Sequence, residues 1–431
     1  MSRSVGIQLG AYRALSPLLA VAARAAVPFS SKLARGWNGR NGLLERLTAA
    51  ATDLDGCLWF HAASVGEYEQ ARPVIAALRV AGYGPLVVTH FSPSGLEYAR
   101  RHPCADFHDY LPLDTPDAMA QLVDAWHPRC LVCVKYDGWP NQILAAETAG
   151  VPVILVSGSL PHGSGRLSPA VRPLFRDVYN RFTCLGVGSE ADRVRFVDEM
   201  GVTIPVSVTG DTRAEQVIRR YQESCDGDVA RTLAAWGGRR IVLGSTWPKD
   251  EALWLPVLKD LLAARPELKI VIVPHEPTRD RLEALARDLD SRGLAHGTLT
   301  DLESGGARTA NCLLVDRVGV LAEIYHAATI AYVGGSFTTG VHSTLEPAVA
   351  ALPVLFGPRI GNAEEALTMV ARGGGFVVTT PGAALAKATA LLDDDDLRLA
   401  TGLSAAEVVA DQVGATARSV RLIIEAMGDQ R

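Results

Sequence analysis

From residue 57 onward the chain repeats one pattern: a short apolar run, a loop of glycine and polar residues, then a stretch with helical spacing. The apolar runs fall at 57–61, 85–89, 106–111, 130–134, 151–156, 184–187 and 206–208. After a polar stretch at 210–228 they resume at 240–243, 269–273, 312–315, 330–333, 354–356 and 376–378. Uninterrupted apolar runs are what strands buried on both faces need, and helices between them imply parallel crossovers. The expected fold class is therefore α/β, with doubly wound parallel sheets. A chain of 431 residues exceeds what one core organises, so two Rossmann-like domains are expected. The predicted division is an arm over 1–50, a first domain over 51–215 and a second over 216–431, closed by helices starting near 383, 396 and 416. Two such domains facing a central cleft would line it with their strand-end loops.

Those loops carry the chemistry. At 330–358 a strand stops at Gly334-Gly335-Ser336, and a second loop, His342-Ser343-Thr344, opens a helix at Leu345-Glu346-Pro347. Glycines at a strand's end admit a ligand to the backbone, and a helix start offers N–H groups to an anion. Glu346 is a carboxylate of the kind that grips two sugar hydroxyls; as a plain structural residue it would favour the helix start. Glycine loops, hydroxyls and an acid together point to a nucleotide or sugar-phosphate site. Gly244-Ser245-Thr246 and Pro274-His275-Glu276 end two further strands of this half in the same way, adding Ser245, Thr246 and His275 as donor-site candidates.

In the first half, the strand at 57–61 runs into Ser64-Val65-Gly66-Glu67. Ser64 and Glu67 have the spacing of a capping box, while Gly66 allows a substrate close and would leave Glu67 placed as a general base. Lys135-Tyr136-Asp137-Gly138-Trp139-Pro140-Asn141 follows another strand. Lys135, Asp137 and Asn141 are candidates for orienting a sugar, with Trp139-Pro140 docking the loop.

A net charge of −5 gives no general attraction to nucleic acid. Its distribution is uneven: residues 1–50 hold seven basic side chains against the single acid Glu45. Residues 5–29 are apolar but broken by Arg13, Pro17 and Arg24, too short a clean run to span a bilayer. An interfacial helix followed by Lys32, Arg35 and Arg40, contacting an anionic membrane surface, fits better. The seven cysteines are scattered through apolar runs, which fits a reducing compartment. Cys130 and Cys133 would point to opposite faces of one strand, so no metal is expected there.

Taken together, SVGE (Ser64 to Glu67), WPN (Trp139 to Asn141), GST (Gly244 to Thr246), VPHEP, VGGSF and HSTLEP followed by PVLFGP resemble the bacterial Kdo transferases. Those enzymes move 3-deoxy-D-manno-oct-2-ulosonic acid (Kdo) from CMP-Kdo to a lipid A precursor. The likeness spans about residues 59–376, in the family's order. It implies a GT-B fold, acceptor binding by the first domain and CMP-sugar binding mainly by the second, with Glu67 as catalytic base. The chemistry expected is an inverting, metal-independent displacement without a cofactor, by a peripheral protein on the cytoplasmic face of the inner membrane. Two departures stand out. Lys135 and Asp137 replace the two glutamates of the family's E-T-E-L-W-P, and Ser343 replaces an asparagine. Other sugar-nucleotide enzymes of this fold, a lipid-linked hexosaminyltransferase or a UDP-sugar epimerase, share the architecture without these motifs. A non-catalytic lipid-binding descendant would be free to lose Glu67 and Glu346, both of which are present.

Overall fold

The computed structural model describes residues 6–428. It contains two seven-stranded sheets, each with every pairing parallel. The first is built from β1 (Leu58–His61), β2 (Leu86–His90), β3 (Phe107–Tyr110), β4 (Cys130–Val134), β5 (Val153–Gly158), β6 (Cys184–Val187) and β7 (Val206–Val208), in the order β3-β2-β1-β4-β5-β6-β7. The second contains β8 (Arg240–Thr246), β9 (Lys269–Pro274), β10 (His296–Thr298), β11 (Cys312–Leu314), β12 (Ile330–Val333), β13 (Val354–Phe356) and β14 (Gly375–Val377), in the order β10-β11-β9-β8-β12-β13-β14. All the expected strands are present. The short edge strand β10 is an addition that His296-Gly297-Thr298, with no apolar run, gave no reason to expect.

Alternation along the strands feeds two cores per sheet. In the first, Trp59, Leu131 and Cys133 face one side while Leu58, Phe60, Cys130 and Val132 face the other. Cys130 and Cys133 thus occupy opposite faces, both fully buried. In the second, Ile241, Ile270 and Tyr332 face away from Val242, Val271 and Ala331.

The chain divides into two compact units, one running up to Gln216 and resuming at Gln412, the other Val217–Asp411. Two expected boundaries are corrected. The closing helices do not all stay with the second domain: Ala415–Ala426 packs on the first unit, where Ile423 is buried beside Leu58, Phe60 and Cys130. The first fifty residues are not a separate arm either. Leu9, Leu43 and Leu47 sit in the first unit's core, and the helix Ile7–Ala26 lies against Pro116–Trp126, Pro140–Thr148 and Arg172–Tyr179. Arg3 and Val5 lie outside the described residues, as does the side chain of Lys32.

Candidate functional site

A doubly wound sheet opens a crevice where its strand order reverses, because the crossovers on either side run to opposite faces. In the first unit that point lies between β1 and β4, so the loops after His61 and Val134 share it. Ser64 N-caps the helix Val65–Val80, its Oγ accepting from Glu67 N at 3.5 Å and its own amide donating to Glu67 Oε2 at 3.0 Å. The capping box and the candidate base are therefore one residue. The box fixes the rotamer of a carboxylate that is 3% exposed. Burial, then the nearby Asp137 charge, push its pKa up to about 7, against the opposing pull of His61 and Lys135. Beside it, a Cβ built on Gly66 would meet nothing within 4 Å.

Asp137 approaches this group from the β4 loop. Its Oδ2 lies 3.6 Å from His61 Nε2 and is buried with no hydrogen-bond partner. The indole of Trp139 can only donate, and it donates to that same Nε2 at 3.1 Å. The His61 ring proton is thereby left on Nδ1, 3.0 Å from Thr89 Oγ1. His61 and Asp137 thus face each other without a proton to share in that tautomer. Lys135 holds the left-handed region at φ 67°, and Ser157 on adjacent β5 does so at 50°, beside a shift in the β5–β6 register. Non-glycine residues tolerate this only where surrounding contacts impose it, and such strain gathers at functional sites. Asp211, held ionised against its burial by Arg213, also accepts from Gln70 Nε2 at 2.9 Å. Neither it nor Arg213 stands out in the sequence, because a Gly-Asp-Thr-Arg run reads as a plain linker turn.

Asn141 departs from its expected role. It is 2% exposed, and its amide donates to Ser16 Oγ at 3.0 Å and the Asp114 carbonyl at 2.6 Å. Asp114 in turn accepts from Tyr12 Oη, Asn141 N and Gln142 N. Asn141 therefore ties the loop to the first helix and does not present itself to a sugar.

In the second unit the strand order reverses between β8 and β12, bringing Ser245 and Thr246 beside Gly334 and Gly335. A Cβ on Gly334 would stand 2.4 Å from the Ser245 carbonyl oxygen, so only glycine lets these strand ends meet. Ser245 itself is left-handed at φ 52°, where β8 shifts register against β9. The fully buried Asp250 organises the whole turn: it accepts from Trp247 N at 2.9 Å, Gly335 N at 3.0 Å and Tyr332 Oη at 2.6 Å. Asp250 went unnoticed in the sequence because it lies inside a helix, four residues past the strand.

Several donor-site candidates are buried or spend their polar groups within the fold. The Gly334 and Gly335 amides are already used, by Gly244 O and Asp250. Ser336 is fully buried with its Oγ accepting from Gly357 N at 2.6 Å, and Thr246 donates to Glu251. Thr344 and Leu345 are buried. His275, Ser343 and the partly buried Glu346 remain accessible. His275 stacks on both Trp247 and His342, at centroid distances of 4.9 and 4.3 Å, and Trp247 Nε1 donates to His342 Nε2 at 2.8 Å. Burial and then His275 lower the His342 pKa, which keeps that ring neutral and able to accept. Glu346 opens the five-residue helix Leu345–Val349, where burial raises its pKa and Arg220, 3.6 Å away, opposes the shift.

Of the basic residues expected at a membrane, Arg40 is turned inward. Its guanidinium donates to the carbonyls of Leu111, Gly36 and Phe91 and lies over Phe91 and Tyr110. Burial lowers its pKa to about 10, against the opposing pull of Tyr110 and Asp109. Arg35 stays exposed, 4.0 Å from Glu97. Leu15, Leu18, Leu19 and Val21 are exposed on the helix Ile7–Ala26, and Phe29 is exposed on the short turn Val27–Phe29 that follows it. No helix among the described residues is long and apolar enough to cross a membrane.

The sequence profile of a family described as 3-deoxy-D-manno-octulosonic-acid transferase (kdotransferase) matches residues 35–216. A 3-deoxy-D-manno-octulosonic acid transferase of Chlamydophila psittaci is 31% identical over 309 residues, 70% of this chain and 69% of its own length. The Bordetella pertussis protein of the same name is 27% identical over 394 residues, 88% of this chain and 89% of its own. Among solved structures, a UDP-GlcNAc 2-epimerase from Neisseria meningitidis bound to UDP-GlcNAc matches with a TM-score of 0.60 at 14% identity, over 86% of this chain and 100% of that one. A glycosyltransferase from Rickettsia africae matches with a TM-score of 0.59 at 9% identity, over 87% and 100%. At such identities the structural likeness concerns the fold alone, the two-unit α/β architecture of the GT-B class.

Proposed function

This chain belongs to the 3-deoxy-D-manno-octulosonic acid transferase family, and from that premise we propose that it moves Kdo from CMP-Kdo to a hydroxyl of a lipid A precursor, with inversion. The reaction is a single displacement. The acceptor oxygen attacks the anomeric carbon, the bond to the CMP phosphate breaks with its electron pair passing to phosphate, and the acceptor proton passes to Glu67. A phosphate leaves as a stable anion, so the step needs a base on the acceptor side and charge stabilisation, not an acid, on the other. The observation that carries the reading is Glu67 itself, a rotamer-locked carboxylate raised to about 7 beside the open space at Gly66. A base with that pKa is ionised in useful proportion near neutral pH yet still takes up a proton readily. The donor is assigned to the second unit, where His275, Ser343 and Glu346 are accessible. No metal is assigned to the step.

The acceptor's acyl chains stay in a bilayer, so the protein is assigned to its surface, at the cytoplasmic face of the inner membrane. The exposed apolar side chains of Leu15, Leu18, Leu19, Val21 and Phe29 support that placement, with Arg35 available to anionic headgroups. Because Leu9 is part of the core, removing the whole segment would disturb the fold. Leu18→Ser with Phe29→Ser is the sharper test, and it should reduce binding to anionic vesicles at low salt. Incubation with CMP-Kdo and tetra-acylated disaccharide bisphosphate, followed by mass spectrometry and determination of the product's anomeric configuration, tests the reaction. Absence of a Kdo adduct, or retention at the anomeric centre, would overturn it.

A further inference from the structure

His61 is fully buried, and the polar atoms around it admit a single pattern of protons. Trp59 and Trp139 carry indole N–H groups, which donate and never accept. Trp59 Nε1 donates to Thr89 Oγ1 at 2.9 Å, and Trp139 Nε1 donates to His61 Nε2 at 3.1 Å. Nε2 is therefore bare, and the ring proton on Nδ1 points at Thr89 Oγ1, 3.0 Å away. Thr89 accepts from both rings and gives its own hydroxyl proton to the Phe60 carbonyl at 3.3 Å.

The bare Nε2 is at odds with the charges that reach the ring. Asp137 Oδ2 lies 3.6 Å from it, buried and without a hydrogen-bond partner. Asp114, from the loop after β3, and Glu67 also interact with His61 electrostatically, and only His90 on β2 opposes a positive ring. Three acids around one imidazole favour its cation, which Asp137 is placed to pair. The proton such a pair needs would stand where the Trp139 N–H now points, and two N–H groups cannot face each other along one line. We infer that Trp139 is a positioning residue for the proposed transfer: its indole N–H keeps the proton off His61 Nε2, and so keeps a positive charge away from Glu67. The inference rests on Glu67 as the base. A charged His61 would pull Glu67 towards ionisation and pair off the Asp137 charge that resists it, and both changes weaken a base. Lys135, Tyr136 and Cys133 are the other titratable groups facing Glu67, and a variant that changes only Trp139 retains them.

Trp139→Phe removes the N–H and keeps an aromatic ring for Phe91, which stacks on Trp139 at a centroid distance of 4.8 Å. Two measurements on the full chain test the inference. Nitrogen NMR of isotope-labelled histidine, with His61 assigned by comparison with His61→Asn, reads the ring independently of activity. Near neutral pH, wild type should show a neutral ring protonated on Nδ1, and Trp139→Phe an imidazolium. The second measurement is kcat/KM against pH, with CMP-Kdo and the disaccharide bisphosphate. In Trp139→Phe the acid limb should move down by about one unit, the lower end of what an opposite charge at close range does, and the plateau should fall severalfold. A protein that had merely lost packing would lose turnover without moving the limb. A wild-type ring protonated on Nε2 would overturn the inference even where the variant fails to fold, and so would a neutral ring or an unmoved limb in Trp139→Phe. No transfer by wild type would instead overturn the proposed function, with the NMR result still deciding the state of the ring.

Discussion

The strand ends of the two units are built from similar parts to opposite purposes. Each places its loops where the strand order reverses, and each carries a left-handed serine at a register shift, Ser157 in β5 and Ser245 in β8. In the first unit Asp137 Oδ2 has no hydrogen-bond partner, and Glu67, which accepts from the Ser64 amide, is still pushed towards protonation by burial. In the second, Asp250 is saturated by three donors, and the strand ends close so tightly that only glycine fits between them. An acid that must take up a proton cannot be fully hydrogen-bonded in its charged form, since every such bond lowers its pKa. An acid that only shapes a loop gains from every bond. On the proposed reading of Glu67, the first unit's buried acid is set to take up a proton, while Asp250 in the second holds a turn in shape.

The sharpest way to break this contrast is Glu67→Gln. An amide still accepts from Ser64 N, so the cap and the fold should persist while turnover falls by about 10²-fold or more. Near-normal turnover, with an unchanged thermal melt, would leave Glu67 as a capping residue and nothing else. Next comes a pair of stability measurements by chemical denaturation. Asp250→Ala leaves the Trp247 amide, the Gly335 amide and the Tyr332 hydroxyl without their acceptor, and should cost about 3 kcal/mol or more. Asp137→Asn loses no hydrogen bond at Oδ2 and relieves like charge, so its effect should stay within about 1 kcal/mol of zero. Equal losses in the two variants would erase the distinction between the units.

A smaller effect is expected at Glu346→Ala, which should weaken CMP binding by roughly tenfold to a hundredfold if the carboxylate holds the ribose hydroxyls. Calorimetry showing unchanged affinity would assign Glu346 to its ion pair with Arg220 alone. The finest test is the pH profile. Glu67 must be ionised to accept a proton, so kcat/KM should rise with pH through about 7. Removing the neighbouring negative charge in Asp137→Asn makes ionisation easier and should move that limb to lower pH. A limb that stays in place would mean the Asp137 charge does not reach the base.

Strand positions, the parallel architecture and the loops that hold chemistry were legible in the sequence because each rests on local pattern. A run such as Cys130–Val134 declares itself buried, and Ser64 with Glu67 declares a cap. What residues cannot declare locally is where their polar atoms find partners. Arg40 looked like a surface cation until two carbonyls and two rings from distant segments, with the nearby Gly36 carbonyl, enclosed it. Asn141 looked free to meet a sugar until Ser16 and Asp114 took its amide. Asp250 was invisible because its three partners lie on two different strand ends. The terminal helix Ala415–Ala426 had an apolar face but no stated neighbour, and only the first unit's open surface beside Phe60 decided its place. The sequence determined which stretches are strands, where the loops fall and which acids stand at their ends, since those follow from periodicity and spacing. The tertiary structure alone decided which of those acids is saturated and which is buried with its pKa raised, because hydrogen-bond satisfaction and desolvation depend on partners far away along the chain.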